Sequence, residues 1–124
     1  MKISRERRQN RSDNTYSALR YQLEACRRRA GLEGMVLTDE SGLALATSGA
    51  VGSCDEVAAR LALVGRKVAA FSGVLFSDRG SWEVSMRRFE IGESELYMCA
   101  VGGSPDPRVA EIERSIDGAS RILG

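Results

Sequence analysis

This chain of 124 residues has carboxylates and thiols that could do chemistry, but it lacks the residue that acts most often as a general base. It contains no histidine, so the commonest general base and every Ser-His or Cys-His nucleophile arrangement are missing. The carboxylate pairs Asp39-Glu40 and Asp55-Glu56 fall at a predicted turn and a predicted helix start, where carboxylates are solvated or favour the helix dipole. We therefore expect no catalytic residue and a protein that is not an enzyme.

Cysteines are the next candidates for chemistry, as nucleophiles, metal ligands or disulfide partners. Cys26, Cys54 and Cys99 are odd in number, widely spaced and free of any CxxC pair, which disfavours a disulfide framework and a zinc site. Cys99 lies in the apolar run 96–101 and fits a small core residue. We expect free thiols, no metal and a reducing, cytoplasmic compartment.

Signals for phosphate recognition are equally weak. The segment 49–52 has two glycines but neither the lysine nor the spacing of a P-loop, so we expect no nucleotide cofactor. The 18 basic and 17 acidic residues nearly cancel, and the strand aromatics Phe89 and Tyr97 lack the glycine-aromatic motifs of RNA-binding sheets. We do not expect the domain to bind nucleic acid. One alternative stays open, in which the basic residues between Lys2 and Arg11 form an arm that binds anionic lipid or nucleic acid. The affinity of such an arm would fall steeply with salt.

Length and composition indicate one domain. A chain of this size with 43% hydrophobic residues buries a core without disulfides. Residues 1–12 are basic and lack periodicity, so we interpret them as a flexible tail before a domain that spans 13–124. No apolar stretch approaches the ~18 residues of a membrane span, and no apolar segment follows the basic N-terminus as in a secretory signal. We expect a cytoplasmic protein.

Hydrophobic spacing predicts the order α-β-β-α-β-β-β-α. The predicted helices are 13–30, 55–71 and 105–123, and the predicted strands are 34–38, 43–47, 73–77, 82–91 and 94–101. The strands join mainly through hairpins, which predicts an antiparallel sheet with helices on both faces. In the fourth strand, Phe89 and Ile91 break the parity of the preceding apolar residues, which predicts a β-bulge near Arg87-Arg88.

The second predicted helix is apolar on two adjacent faces. One stripe has helical spacing and suits the core; its members are Val57, Leu61, Val64, Val68 and Phe71. The neighbouring stripe has small residues that let a second backbone approach closely; its members are Ala58, Ala62, Gly65 and Ala69. One face can cover the sheet, and a second copy of the same helix is a candidate for the other. The alternative, that the alanines only raise helix propensity, is supported equally well.

The segment 31–48, GLEGMVLTDESGLALATS, joins the first helix to the first hairpin. It resembles the roadblock/dynein light-chain family, in which a first helix runs into a hairpin of the form GxxGxxLxDxxGLxLAxS. The glycines, the Asp-x-x-Gly turn and the Leu-Ala pair are all kept. With the order of elements, the resemblance extends from Ser12 to the C-terminus. It implies a profilin-like α/β fold with a five-stranded sheet of order 2-1-5-4-3, the middle helix on one face and the terminal helices on the other.

The resemblance also implies a function. Family members commonly pair through the middle helix and the third strand, and bacterial single-domain members often regulate Ras-like GTPases. Here it implies a homodimer that binds a Ras-like small GTPase and other roadblock-domain proteins, with the GTPase facing Leu63, Arg66 and Lys67. The implied dimer-interface residues are Ala58, Leu61, Ala62, Gly65, Ala69, Val74 and Phe76. An alternative is a structural scaffold subunit of a larger roadblock-containing complex that leaves GTPase rates unchanged.

Overall fold

The computed structural model describes residues 2–77 and 80–124, without the side chains of 2–13, 51 and 53. In chain order the elements are α1 (Lys2–Ala30), β1 (Gly34–Asp39), β2 (Ala44–Gly49), α2 (Val51–Gly65), β3 (Ala70–Ser77), β4 (Gly80–Ile91), β5 (Ser94–Val101) and α3 (Pro105–Leu123). The strands form one antiparallel sheet of order β2-β1-β5-β4-β3. The predicted fold class, element order and strand order are confirmed.

The sheet separates two hydrophobic layers. On one face, α2 packs against the strands through a cluster that includes Leu61 and Tyr97. On the other face, α1 and α3 pack against the strands through Leu23, Ile112 and Met98. The central strands β1 and β5 contribute buried residues to both clusters, which explains their nearly continuous apolar sequences.

A carboxylate closes the turn between β1 and β2. Asp39 Oδ1 accepts hydrogen bonds from the backbone N–H groups of Ser41 (2.9 Å) and Leu43 (3.1 Å), and from the Ser41 hydroxyl. Burial acts to raise the pKa of Asp39, but these hydrogen bonds outweigh it and the net pKa is lowered. Gly42 completes the turn with a φ of +90°, which L side chains rarely adopt. The Asp-x-x-Gly pattern is therefore a local hydrogen-bonding device.

The first helix begins earlier than predicted. α1 starts at Lys2 and not near residue 13. The stretch 2–12 has no hydrophobic stripe, which is why the sequence predicts a tail there, but Lys, Arg, Glu and Gln all have favourable helix propensities. The packed part of the helix lies further on, where Leu19, Leu23 and Cys26 are buried. The division of the chain into a tail at 1–12 and a domain at 13–124 stays a prediction.

The second helix is shorter than predicted. α2 ends at Gly65 and β3 begins at Ala70, whereas the spacing predicts helix as far as Phe71. Phe71 instead pairs with Met86 of β4 and covers the α2 cluster from the sheet. β3 alternates exposed and half-buried residues, and over so few residues this period of two competes with the helical period. The predicted turn at 77–80 falls partly outside the described residues.

The bulge predicted near Arg87-Arg88 is wrong. β4 keeps unbroken register with both β3 and β5. The change of parity has another cause, because Met86 faces the α2 layer whereas Phe89 packs against the layer of α1 and α3. A strand that is covered on both faces buries residues of both parities without a bulge.

The carboxyl end of α2 is shaped by Tyr97. A Cβ at Gly65 would lie 2.7 Å from Cε1 of the buried Tyr97 ring, so only glycine lets the ring pack there. Arg88 Nη1 donates a hydrogen bond to the Gly65 carbonyl at 2.9 Å, and Arg88 Nε pairs with Glu95 at 3.2 Å. This places a positive charge at the negative end of the helix dipole.

Gly65→Ala should lower the free energy of unfolding by about 1 to 3 kcal/mol, because the added methyl group overlaps the Tyr97 ring in a packed core. Gly52→Ala in the same helix is the matched control, since a Cβ there meets nothing within 4 Å. It should leave stability unchanged or raise it by about 0.5 to 1 kcal/mol. Urea unfolding followed by circular dichroism measures both, and equal effects of the two substitutions would contradict the ring contact.

Candidate protein interface

The small-residue stripe of α2 faces the sheet. Ala58, Leu61 and Ala62 are buried within the single chain, and Gly65 lies against the aromatic ring described above. The β1–β2 turn also approaches this helix, because a Cβ at Gly42 would lie 3.5 Å from the Cβ of Ala62. The prediction that these four α2 residues contact a partner is therefore corrected. Their small side chains let the sheet and the turn approach the helix, and a partner cannot touch them directly.

The other three predicted interface residues lie on the surface beside or within β3. Ala69 is exposed just before the strand, and Val74 and Phe76 are 43% and 74% exposed. Val74 and Phe76 point away from α2, because the alternate residues Phe71 and Leu75 pack on the α2 cluster. β3 is an edge strand of the sheet, so one side of its backbone is open to a further strand. Contact of these three residues with a partner stays a prediction.

The three residues predicted to face a GTPase are exposed, and their contact with a GTPase stays a prediction. Leu63 is 60% exposed on α2, and Arg66 and Lys67 are exposed in the connection that follows. Among the side chains that the structure describes, neither cation forms an ion pair. This surface therefore combines an apolar side chain with two positive charges that are available to a partner.

Two residues of this region were missed by sequence reasoning. Arg60 Nη1 donates a hydrogen bond to the Phe76 carbonyl at 2.8 Å, and Arg60 Nη2 pairs with Glu56 at 3.3 Å, so Arg60 ties α2 to the edge strand. In the sequence, its spacing from Glu56 indicates only an ordinary pair of helix charges. Val68, which the spacing assigns to the core, is exposed between α2 and β3.

The potential metal ligands and thiols of the described residues lie apart or are buried. No three of their His, Cys, Asp or Glu side chains converge to hold a metal ion. The cysteines are free and buried, and burial raises the pKa of Cys54 to about 11 and raises that of Cys99 as well. Both thiols therefore stay protonated near neutral pH. Over the same part of the chain, no helix combines the length and the apolar character needed to cross a membrane.

Cys54 and Cys99 should resist Ellman's reagent in the native protein. At pH 8 the raised pKa of Cys54 leaves its reactive thiolate about two orders of magnitude rarer than that of an ordinary cysteine, and burial adds a steric barrier. Labelling in guanidinium, where the chain is unfolded, is the control in which every thiol reacts. Peptide mapping assigns the labelled sites, and rapid native labelling of either residue would contradict its placement in the core.

Solved structures with the same fold are known, although no protein-family model and no curated protein matches the chain. A structure described as MglB with a tetrameric arrangement gives a TM-score of 0.62 at 19% identity, over 87% of this chain and 89% of that chain. The gliding protein MglB from Thermus thermophilus gives 0.60 at 21% identity, over 87% and 90%. A roadblock/LC7 domain from Streptomyces avermitilis gives 0.54 at 14% identity, over 84% and 93%.

These likenesses extend over most of both chains in each comparison. At identities this low they concern the fold, and they agree with the resemblance that the hairpin segment 31–48 carries in the sequence. The sheet order and the division of the helices between its two faces agree with the same assignment. The chain therefore has the roadblock/LC7 fold.

Proposed function

We propose that this chain is a non-catalytic, cytoplasmic interaction domain that forms a homodimer and regulates a Ras-like small GTPase. The observation that carries the proposal is the concentration of exposed apolar side chains around α2 and β3. Eight large hydrophobic side chains are exposed among the described residues, and four of them fall between residues 63 and 76. These four are Leu63, Val68, Val74 and Phe76. Leu63 lies on α2, whereas Val74 and Phe76 point to the other side of the sheet, so exposed apolar side chains flank this edge on both faces. Exposed apolar surface of this kind favours binding to another protein.

Pairing of two β3 strands accounts for part of this surface. The strand, AFSGVLFS, contains no charged residue and no proline, so it lacks the side chains that usually protect an edge strand from pairing. Two copies of the chain related by a two-fold axis beside β3 would pair these strands through main-chain hydrogen bonds. The pairing would join the two sheets and bring Val74 and Phe76 of both copies together. One MglB neighbour has a tetrameric arrangement, which supports association as a property of this fold.

The outer face of α2 suits a second partner. Leu63 provides an apolar anchor, and Arg66 and Lys67 provide positive charge for acidic groups. Because Arg60 holds α2 next to β3, pairing of β3 would place the two α2 faces on one side of the joined sheet. A GTPase bound there would have its switch loops held in one shape, so the regulator needs no catalytic group of its own. The likeness to the MglB gliding protein supports this class of partner.

Phe76→Glu should break the dimer, because it places a carboxylate from each copy at the seam. Light scattering over a dilution series should give twice the monomer mass for the wild-type chain and a dissociation constant raised at least about tenfold for the variant. Leu43→Glu is the matched control, since Leu43 is 65% exposed at the β1–β2 turn. A monomeric wild type would contradict the dimer, and equal weakening by both substitutions would contradict an interface at β3.

Leu63→Asp should weaken GTPase binding by about tenfold or more, because it removes the apolar anchor. Val109→Asp, at an exposed position of α3, should have no effect. The Ras-like GTPases of the source organism, loaded with GDP or a non-hydrolysable GTP analogue, are tested for binding, hydrolysis and nucleotide exchange. A rate change that Leu63→Asp abolishes supports the regulator. Binding with unchanged rates indicates the scaffold subunit instead, and a failure of every GTPase to bind rejects the regulator.

A further inference from the structure

At the edge of the sheet opposite β3, α1 and β2 form an open groove. Its volume is about 630 Å³, and it is lined by one face of α1 between Tyr16 and Arg27 and by residues 47–49 of β2. Grooves of this size accommodate several side chains. Pairing through β3 leaves the groove uncovered, because β2 lies at the other end of the strand order.

The β2 wall of the groove is an edge strand. β2 pairs with β1 along one side, and its other side meets no strand among the described residues. The outward N–H and C=O groups of an edge strand are available to a segment that adds as a further strand. At this end of β2, Thr47 is half-buried and Gly49 is exposed, whereas Ser48 is buried and hydrogen-bonded to Glu24 and Arg27.

The α1 wall carries exposed aromatic and cationic side chains. Tyr16 and Tyr21 are 45% and 78% exposed. The guanidinium carbon of Arg20 lies 6.0 Å from the centroid of the Tyr16 ring, which is a cation–π distance. Tyr and Arg are among the side chains that contribute most to binding energy at protein interfaces. Their exposure together on one wall indicates a contact surface.

Charge in the groove is only partly neutralised. On its floor, Glu24 accepts hydrogen bonds from Ser48 Oγ (2.6 Å) and Arg27 Nε (3.0 Å). The hydrogen bond from Ser48, followed by that from Arg27, contributes most to lowering the pKa of Glu24. Arg20, by contrast, forms no ion pair with any side chain that the structure describes. Among the described side chains the wall therefore presents a cation that rests on an aromatic ring but has no carboxylate partner, and a carboxylate is the group that complements it.

We propose that this groove binds an extended acidic segment of a partner protein, which adds to β2 as a strand and places a carboxylate on Arg20. The open edge accounts for the extended backbone, the two tyrosines for the contact area, and Arg20 for the acidic character. The inference goes beyond the regulator function and does not depend on the dimer, because one chain supplies every residue of the groove. In a dimer paired through β3, the two grooves would lie at the far ends of the joined sheet.

A fluorescein-labelled peptide in which Glu alternates with Val or Thr is a direct probe, titrated with the full chain by fluorescence anisotropy. We expect saturable binding that Arg20→Ala and Tyr21→Ala each weaken at least about fivefold. Both side chains are exposed, so the variants should fold, which thermal unfolding verifies. Arg121→Ala replaces an exposed arginine of α3 that does not line the groove, and it should bind like the wild type.

Two modified peptides separate strand addition from attraction of charge. N-methylation of the backbone amides removes the main-chain donors and should abolish saturable binding. Replacement of every Glu by Lys should abolish it as well, because Arg20 then faces a like charge. The proposal is overturned if the methylated peptide binds as well as the parent, if Arg121→Ala weakens binding as much as Arg20→Ala, or if the parent peptide fails to bind at millimolar concentration.

The same titration with Phe76→Glu distinguishes the groove from the dimer surface. The variant should bind the acidic peptide with unchanged affinity, whatever its oligomeric state. Loss of peptide binding in this variant would place the site at β3 and overturn the groove proposal. A monomeric wild type that still binds the peptide would support the groove while rejecting the dimer.

Discussion

The contact at the carboxyl end of α2 is the constraint on which the rest of the structure depends. The Tyr97 ring takes the space beside Gly65, and Arg88 holds the carbonyl of that glycine. With the helix end fixed there, residues 66–69 carry the chain to the sheet edge, where β3 pairs with β4 along its whole length. The exposed apolar side chains of β3 follow from this early exit, because a helix that continued to residue 71 would shorten the strand and remove Phe71 from the cluster it covers.

The edge strand is held from both faces of the sheet. From one side, Arg60 of α2 donates to a β3 carbonyl. From the other side, the buried guanidinium of Arg108 donates to Ser85 Oγ at 2.8 Å and to the Gly102 carbonyl at 3.0 Å, and Ser85 Oγ shares a hydrogen bond of 2.8 Å with Ser72 Oγ of β3. A buried cation is tolerated only where such acceptors satisfy it. α3, β4 and β3 therefore behave as one hydrogen-bonded unit, which gives a partner a preorganised edge.

Sequence reasoning succeeded where one local pattern is compatible with one structure. The Asp39 turn and the nearly continuous apolar β5 are each compatible with few other structures. The order of elements and the hairpin motif carry the family resemblance, and that resemblance implied the strand order. It failed where a spacing fits two structures. The spacing of residues 68–71 fits a helix or a strand. Ala58 and Ala62 fit close contact with a partner or with the sheet. Phe89 fits a β-bulge or a strand that is covered on both faces. The deciding contacts join residues distant in sequence, and no pattern within one segment contains them. The same holds for the groove beside β2, whose walls come from two elements.

The uncharged sequence of β3 has a consequence for the single chain in solution. An edge without lysine, proline or bulge accepts strands without selectivity, and Val74 and Phe76 make such pairing favourable. A newly synthesised chain therefore carries an aggregation-prone surface, and covering that edge competes with self-association into disordered assemblies. Higher temperature and higher expression both shift this competition toward aggregates, because each raises the rate of unselective encounters. The concentration at which the chain is produced is thus itself a determinant of how much of it stays out of such aggregates.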